Sequence, residues 1–413
     1  MNASTHMAQP LYSRERTSTE GKWAFLVSLF FVFSISVDYR IAIAGLLVHP
    51  FLILMPLAIF FTGFHIFRIS SRVLAPLLTF LIFFSVASLQ NDRPLQEIIK
   101  VAASVLTFLF FATSVKTEKD FRLISMGIVI CGIVIGYLAY QIGPEASKGE
   151  RLEGINALEG LGNKNAQSLF TLPALFLSGL LTVWSLRQRN FWLSAFLITG
   201  LFFIVISIFL SANRSGWVGM GIIVLIFFVY FRLSLNLLII AGILFFFSFL
   251  GIDRYARDIV ERKQQQTLQG YRSDEGRMIL IKESLKVGLE NPWLGVGMDR
   301  LHKQMNMAVH RSSLEGGLTD THFLIGYLFG ATGMFTLFFF FFFLKRVIER
   351  KQRFAARSTI EDPWILLTGF VALFVIRSFF TREILYSPTF VGTMGLLYGY
   401  YLMWLRKPKV HVG

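Results

Sequence analysis

The chain is poor in the residues that build secreted scaffolds and soluble catalysts. It has one cysteine, Cys131, in 413 residues, so no disulfide can form within it. Charged residues make up 16% of it, against roughly 25% in an ordinary soluble domain. That shortfall excludes a simple soluble enzyme and a charge-rich disordered chain. Metal-ligand signatures are missing: there is no His-Glu-x-x-His, no cysteine pair and no Asp-x-Asp. There is no Gly-x-Ser-x-Gly elbow, and the pair Gly295 and Gly297 is too sparse for a nucleotide-type phosphate loop. No small-residue cleavage site accompanies the first apolar stretch, which starts at Trp23, so it reads as a retained membrane segment.

Apolar surface is what the chain has in excess. Hydrophobic residues make up 54%, Phe alone fills 45 positions, and mean hydropathy is +0.60. Twelve apolar stretches are long enough to enter a bilayer: 23–37, 41–67, 74–89, 97–115, 123–143, 167–186, 191–212, 215–231, 237–251, 322–344, 363–380 and 389–405. Pro50 and Pro56 should break the second. The runs are continuous rather than alternating, six consecutive Phe from Phe338 to Phe343 among them, which argues for helices against a β-barrel. The expected fold is an all-α polytopic membrane protein of about twelve transmembrane helices. A tail of 1–22 precedes spans one to nine (23–251), a large loop follows at 252–321, spans ten to twelve occupy 322–405, and 406–413 is a tail.

The formal charge of +15 would suggest nucleic acid in a soluble protein. Here its position matters more. With the N-terminus in the cytoplasm, the inner segments carry 20 basic and 7 acidic residues, and the outer segments are nearly balanced. The charge is then explained by orientation and by contact with anionic membrane lipids, not by nucleic acid. Inner loops are short, so any chemistry belongs to the outer face, where 144–166 and 252–321 are long. Within the latter, two helices are expected. One spans about 253–268. The other starts at Ser273 as N-cap and ends at Gly288, with Asn291-Pro292 confirming the stop and Leu294-Gly295-Val296-Gly297 making a turn.

Three residues stand out on this face. Arg214, in Ser211-Ala212-Asn213-Arg214-Ser215-Gly216-Trp217, falls between two spans with almost no loop. It either snorkels to headgroups or holds an anion in its planar fork. Arg277 lies in the first turn of a helix, where a cation opposes the dipole. It either pairs with Asp274 or Glu275 or closes over an anion at the helix end. His322 stands where the outer loop re-enters the membrane, and is either a satisfied interfacial histidine or a general base. Asp320 would orient it or be solvated. His49, His65, His302 and His310 are weaker candidates, as is the lone carboxylate Asp38. Lys100 and Arg377 are the strong charges that look intramembrane.

The three elements, in this order and spacing, resemble the O-antigen ligase family, related to the O-antigen polymerases and pilin-type protein O-oligosaccharyltransferases. The resemblance rests on Ser211 to Trp217, on Arg277 leading a helix into Asn291-Pro292-Trp293-Leu294-Gly295-Val296-Gly297, and on His322 followed by Gly330-Ala331-Thr332-Gly333. Phe323 stands where the family often has Asn. The resemblance implies a glycosyltransferase-C-like membrane fold in the bacterial inner membrane, with both termini cytoplasmic and a periplasmic active site. It implies an inverting enzyme without metal or cofactor. The donor would be a glycan on undecaprenyl diphosphate and the acceptor the lipid A–core oligosaccharide. Arg214 and Arg277 would bind the diphosphate, and His322 would lie at the acceptor hydroxyl. A polymerase or protein O-oligosaccharyltransferase is the neighbouring alternative. A transporter of lipid-linked sugars is the alternative from another class.

Overall fold

The computed structural model describes residues 41–43, 46–48, 69–92, 94–143, 164–211, 213–231, 276–311, 323–349 and 362–406. Spans 23–37, most of 41–67 and 237–251 lie outside these residues, as do both tails, the 253–268 helix and the Ser273 cap. The start of the second expected span differs from the reading above. Ile41–Ile43 (β1) and Leu46–Val48 (β2) pair antiparallel, Ile41 opposite Val48, instead of opening a helix. Apart from Ala42 these residues are β-branched or leucine, and two short strands can satisfy each other's backbone.

All other regular structure among the described residues is helical. The helices are α1 (Ser71–Ser88), α2 (Pro94–Ser114), α3 (Glu118–Ile142), α4 (Lys164–Arg187), α5 (Phe191–Leu210), α6 (Arg214–Phe231), α7 (276–290), α8 (Met298–Arg311), α9 (Leu324–Val347), α10 (Pro363–Ser378) and α11 (Pro388–Arg406). A 3-10 turn, Glu383–Tyr386, links the last two. Six helices are long and apolar enough to cross a membrane, α1 to α5 and α9, and Ser215–Phe231 and Pro363–Ser378 are shorter apolar helices.

Polar residues set the helix ends. Thr117 and Asp120 form a reciprocal capping box, Thr117 Oγ1 accepting from the Asp120 amide (3.2 Å) and Asp120 Oδ2 from the Thr117 amide (2.8 Å). Asn190 caps α5 by accepting from the Leu193 amide (3.2 Å), after a tight turn with Arg189 at φ 55°. Asp362 caps α10, with Pro363 in the first position, where its missing N–H costs nothing.

The helices alternate in direction, so the bundle has two ends. One of them carries Arg122, Arg187, Lys345, Arg346 and Arg406. The other end carries the C-termini of α1, α3, α5 and α10 and the starts of α2, α4, α6, α9 and α11.

α11 is the centre of the bundle. Every residue from Pro388 to Met403 is buried. Its Gly and Tyr content keeps it out of the strongly apolar group, yet it has protein on all sides. Gly395 explains the closeness: a Cβ there would lie 2.3 Å from the Phe108 carbonyl oxygen of α2. Small residues at this spacing let two backbones approach, which is how helices gain van der Waals contact in an apolar solvent. Around this pair the phenylalanines divide their work. Phe340 and Phe343 of α9 are buried against Phe80 and Phe108, with ring centroids 5.5 and 5.2 Å apart. Phe338 and Phe341 face outward.

Candidate active site

The end opposite Arg122, Arg187 and Arg406 is built from short polar elements at helix termini. α5 runs into α6 through Ser211 and Asn213. Asn213 caps α6: its Oδ1 accepts from the Ser215 amide (3.1 Å), and its carbonyl accepts from Gly216 (2.9 Å) and Trp217 (3.2 Å). Arg214 is therefore the first residue of α6, where the dipole favours an anion. The backbone of Arg214 is described; its side chain lies outside the described residues. His322 and Asp320 also lie outside them, as do Asp38, His49 and His65; His310 lies in the last turn of α8, its side chain outside the described residues. Arg277 is exposed, on the first turn of α7.

The described neighbours of these residues meet. Phe323, which directly follows His322, is the N-terminal flanking residue of α9 and stacks on Phe379 at 5.6 Å. Two residues before Phe379, Arg377 donates to Ser215, the residue after Arg214. The entries to α6 and α9 thus touch one short stretch, 377–379. α7 packs along the first half of α9: a Cβ on Gly326 would lie 2.5 Å from Ser284 Oγ, and one on Gly288 would lie 2.4 Å from the Phe329 ring. Gly288 is consequently inside α7, which continues to 290, and does not end it as its composition suggests. Its bare Cα makes room for an aromatic ring, and the helix stops at Asn291-Pro292 instead.

The turn after α7 docks into a break in α9. Gly333 has φ 80° and ψ 177°, far from helical values, so α9 is two helices joined at a kink. The broken carbonyls and amides are taken up by the loop 291–297. Val296 N–H donates to Gly330 O (3.1 Å), Gly297 N–H to Ala331 O (2.9 Å), and Met334 N–H to Pro292 O (2.7 Å). Gly295, at φ 64°, lies so close that a Cβ would be 2.4 Å from the Ala331 carbonyl carbon. The Gly-rich turn therefore cradles helix backbone, not phosphate. It also locks the helix that begins near Arg277 to the helix that begins after His322. Asn91, at the end of α1, caps the next helix from another element: its buried Oδ1 accepts from the Met298 amide of α8 (2.5 Å). Met298, Leu301 and Met305 bury one face of α8.

A second polar cluster flanks this lock. Tyr327 of α9 donates to Met298 Sδ and shares a hydrogen bond with Tyr386 Oη (3.0 Å). Burial and the facing Tyr327 hydroxyl hold the Tyr386 phenol well above the usual tyrosine range. Arg382 lies over the Tyr327 ring (4.7 Å) and donates to His302 Nε2 (2.8 Å). An arginine can only donate, so that nitrogen accepts. Lys100 pairs with Glu97 (2.7 Å) near the start of α2. Among the described residues no three His, Cys, Asp or Glu side chains gather into a group able to hold a metal ion.

Sequence reasoning named the loops of this site and missed what holds them. Asn91 carried no signal, because its partner is about two hundred residues away. Arg377 was noticed only as an intramembrane charge. It is fully buried near the end of α10, with Nη2 donating to Ser168 Oγ of α4 (2.7 Å). A polar residue late in an apolar span, opposite serines early in two others, was the available clue.

These features define a multi-pass helical membrane protein with a polar site at one end of its bundle. Residues 199–341 match the family model described as O-antigen ligase. The match runs from within α5 to within α9 and takes in all three sequence elements. That family points to a membrane enzyme of glycosyl transfer. No curated protein matches the chain.

Proposed function

We propose that this protein is an O-antigen ligase, moving a glycan from undecaprenyl diphosphate to lipid A–core oligosaccharide at the periplasmic face of the inner membrane. The observation that carries this is the meeting of α6, α7 and α9 at one end, through the 377–379 stretch and the lock of 291–297 into the α9 kink. The excess of basic residues in the sequence segments assigned to the opposite end, 20 against 7 acidic, supports a cytoplasmic placement for that end.

The chemistry follows from the groups. The acceptor hydroxyl oxygen attacks the anomeric carbon from the face opposite the leaving group. The new C–O bond forms as the bond to the diphosphate oxygen breaks, with inversion. The bonding pair leaves with the diphosphate, and the hydroxyl proton goes to the His322 imidazole. A diphosphate is a good leaving group and needs no acid. Its growing charge needs cations, and Arg214 and Arg277 supply them without a metal. General-base help is typically worth about 10²–10⁴-fold. Asp320 would orient the imidazole.

Purified protein, undecaprenyl diphosphate-linked glycan and lipid A–core in detergent with excess chelator test this. Transfer is expected, and Arg214→Ala, Arg277→Ala and His322→Ala should each nearly abolish it at normal expression. Dependence on added Mg²⁺ or Mn²⁺ would overturn the metal-free scheme, and near-normal transfer by the His322 variant would remove its role as base. Surface glycans of a null strain separate acceptors. Core without O-antigen supports the ligase, core with one repeat unit a polymerase, and bare pilin a protein transferase. A transporter is disfavoured, since Lys100 and Arg377 both sit toward one end of the bundle and not through its depth.

A further inference from the structure

Arg377 lies outside the residues matched by the family model, and the reaction scheme above does not use it. Its guanidinium is fully buried. One nitrogen, Nη1, donates to Ser215 Oγ, and Nη2 donates to Ser168 Oγ (2.7 Å). Ser215 Oγ in turn donates to Asn213 Oδ1 (2.6 Å), and Asn213 Nδ2 donates to Ser168 Oγ (3.1 Å). The four side chains close a ring, and all four are buried. Asn213 and Ser215 are the two neighbours of Arg214 in the chain. Arg377 therefore holds one neighbour of Arg214, Ser215, directly and the other, Asn213, through Ser215 and Ser168, and is itself shielded from solvent.

The ring is electrically incomplete. Its acceptors are neutral oxygens, Arg377 Nε has no hydrogen-bond partner, and the guanidinium makes no direct ion pair with a carboxylate among the described residues. Glu383 acts on it only at longer range. A guanidinium buried among neutral groups is costly to the fold. Its positive potential, poorly screened, falls on the first turn of α6, whose amide dipoles point the same way.

We infer that Arg377 is a positioning residue for donor binding: it fixes the start of α6, so that Arg214 meets the diphosphate, and it adds buried positive charge behind that site. This rests on the reading of Arg214 as a diphosphate ligand. It differs from a packing role in what it predicts. Loss of Arg377 should weaken the donor and spare the acceptor.

The test measures KM for donor and acceptor separately, binding of bare undecaprenyl diphosphate, and thermal unfolding, in wild type, Arg377→Met, Arg377→Lys and Ser215→Ala. Arg377→Met keeps most of the volume and removes the charge; donor KM should rise by about tenfold or more, with acceptor KM unchanged. Arg377→Lys keeps the charge but cannot hold two hydroxyls in a fixed fork, so it should recover part of the loss. Ser215→Ala breaks the ring without burying a new charge and should raise donor KM roughly threefold to tenfold. Unchanged donor KM in folded Arg377→Met overturns the inference, as does an equal rise for donor and acceptor. If Arg377→Met does not fold, Ser215→Ala and Arg377→Lys decide: donor KM equal to wild type in both overturns it. Wild-type protein that neither binds undecaprenyl diphosphate nor transfers from it would sink the ligase reading as well, whereas normal wild type with indifferent variants sinks the role of Arg377 alone.

Discussion

Replacing Gly333 with Ala tests whether the α9 kink is a designed joint or an incidental bend. The residue sits at φ 80° and ψ 177°, a region that L-residues occupy only under strain of about 1–3 kcal/mol. The added Cβ would lie 2.2 Å from Trp293 O, 2.4 Å from Trp293 C and 2.6 Å from Leu294 N. All three are backbone atoms, so no side chain can swing away. Either α9 straightens or the 291–297 loop withdraws. Both routes break the bonds from Val296, Gly297 and Met334, each worth roughly 1 kcal/mol net. We expect the lock to lose about 3 kcal/mol, which is roughly a hundredfold faster hydrogen exchange at those three amides. Amides in the α2–α11 core should be unaffected. Transfer should fall as well, by about a hundredfold if the α7 and α9 entries shift by an ångström. Exchange within about threefold of wild type at the three amides would refute the idea that Gly333 is required by its geometry.

Other expectations follow from single contacts. Asn91→Ala should destabilise the α1–α8 junction by about 1–2 kcal/mol, read as faster exchange at the Met298 amide, since that buried donor loses its acceptor. Gly395→Val should cost about 3 kcal/mol, visible as a clear drop in melting temperature in detergent, because α11 cannot back away from Phe108 without opening the core. An unmoved melting temperature would contradict the central place of that helix pair. If His322 is the base, kcat/KM should be flat at high pH and fall about tenfold per unit once the imidazole is protonated, and this limb should vanish in His322→Ala.

The order of helices was legible because lipid is a uniform solvent. A stretch that must satisfy its own backbone and face hydrocarbon has to be long, continuous and apolar, and that demand is local. Nine of the twelve expected spans coincide with described helices to within a few residues at most ends. The order of the three motif elements was also readable, because each depends on residues a few positions apart.

Which apolar surface faces protein and which faces lipid could not be read, since both are apolar. Phe338 and Phe340 are the same residue in the same run, and only packing sends one outward and one into the core. α11, among the less hydropathic spans, turned out to be the most enclosed. Gly288 looked like a helix end and proved to be a seat for Phe329, because an absent side chain matters only once a neighbour is in place. The same holds for the polar groups. Asn91 serves Met298, and Arg377 joins Ser168 to Ser215, across separations of more than 150 residues. Such partnerships have no local periodicity to betray them. Composition and spacing determined a helical membrane protein with its polar elements at one end; only the tertiary structure decided which of them lock together, because hydrogen bonds are made by distance in space and not along the chain.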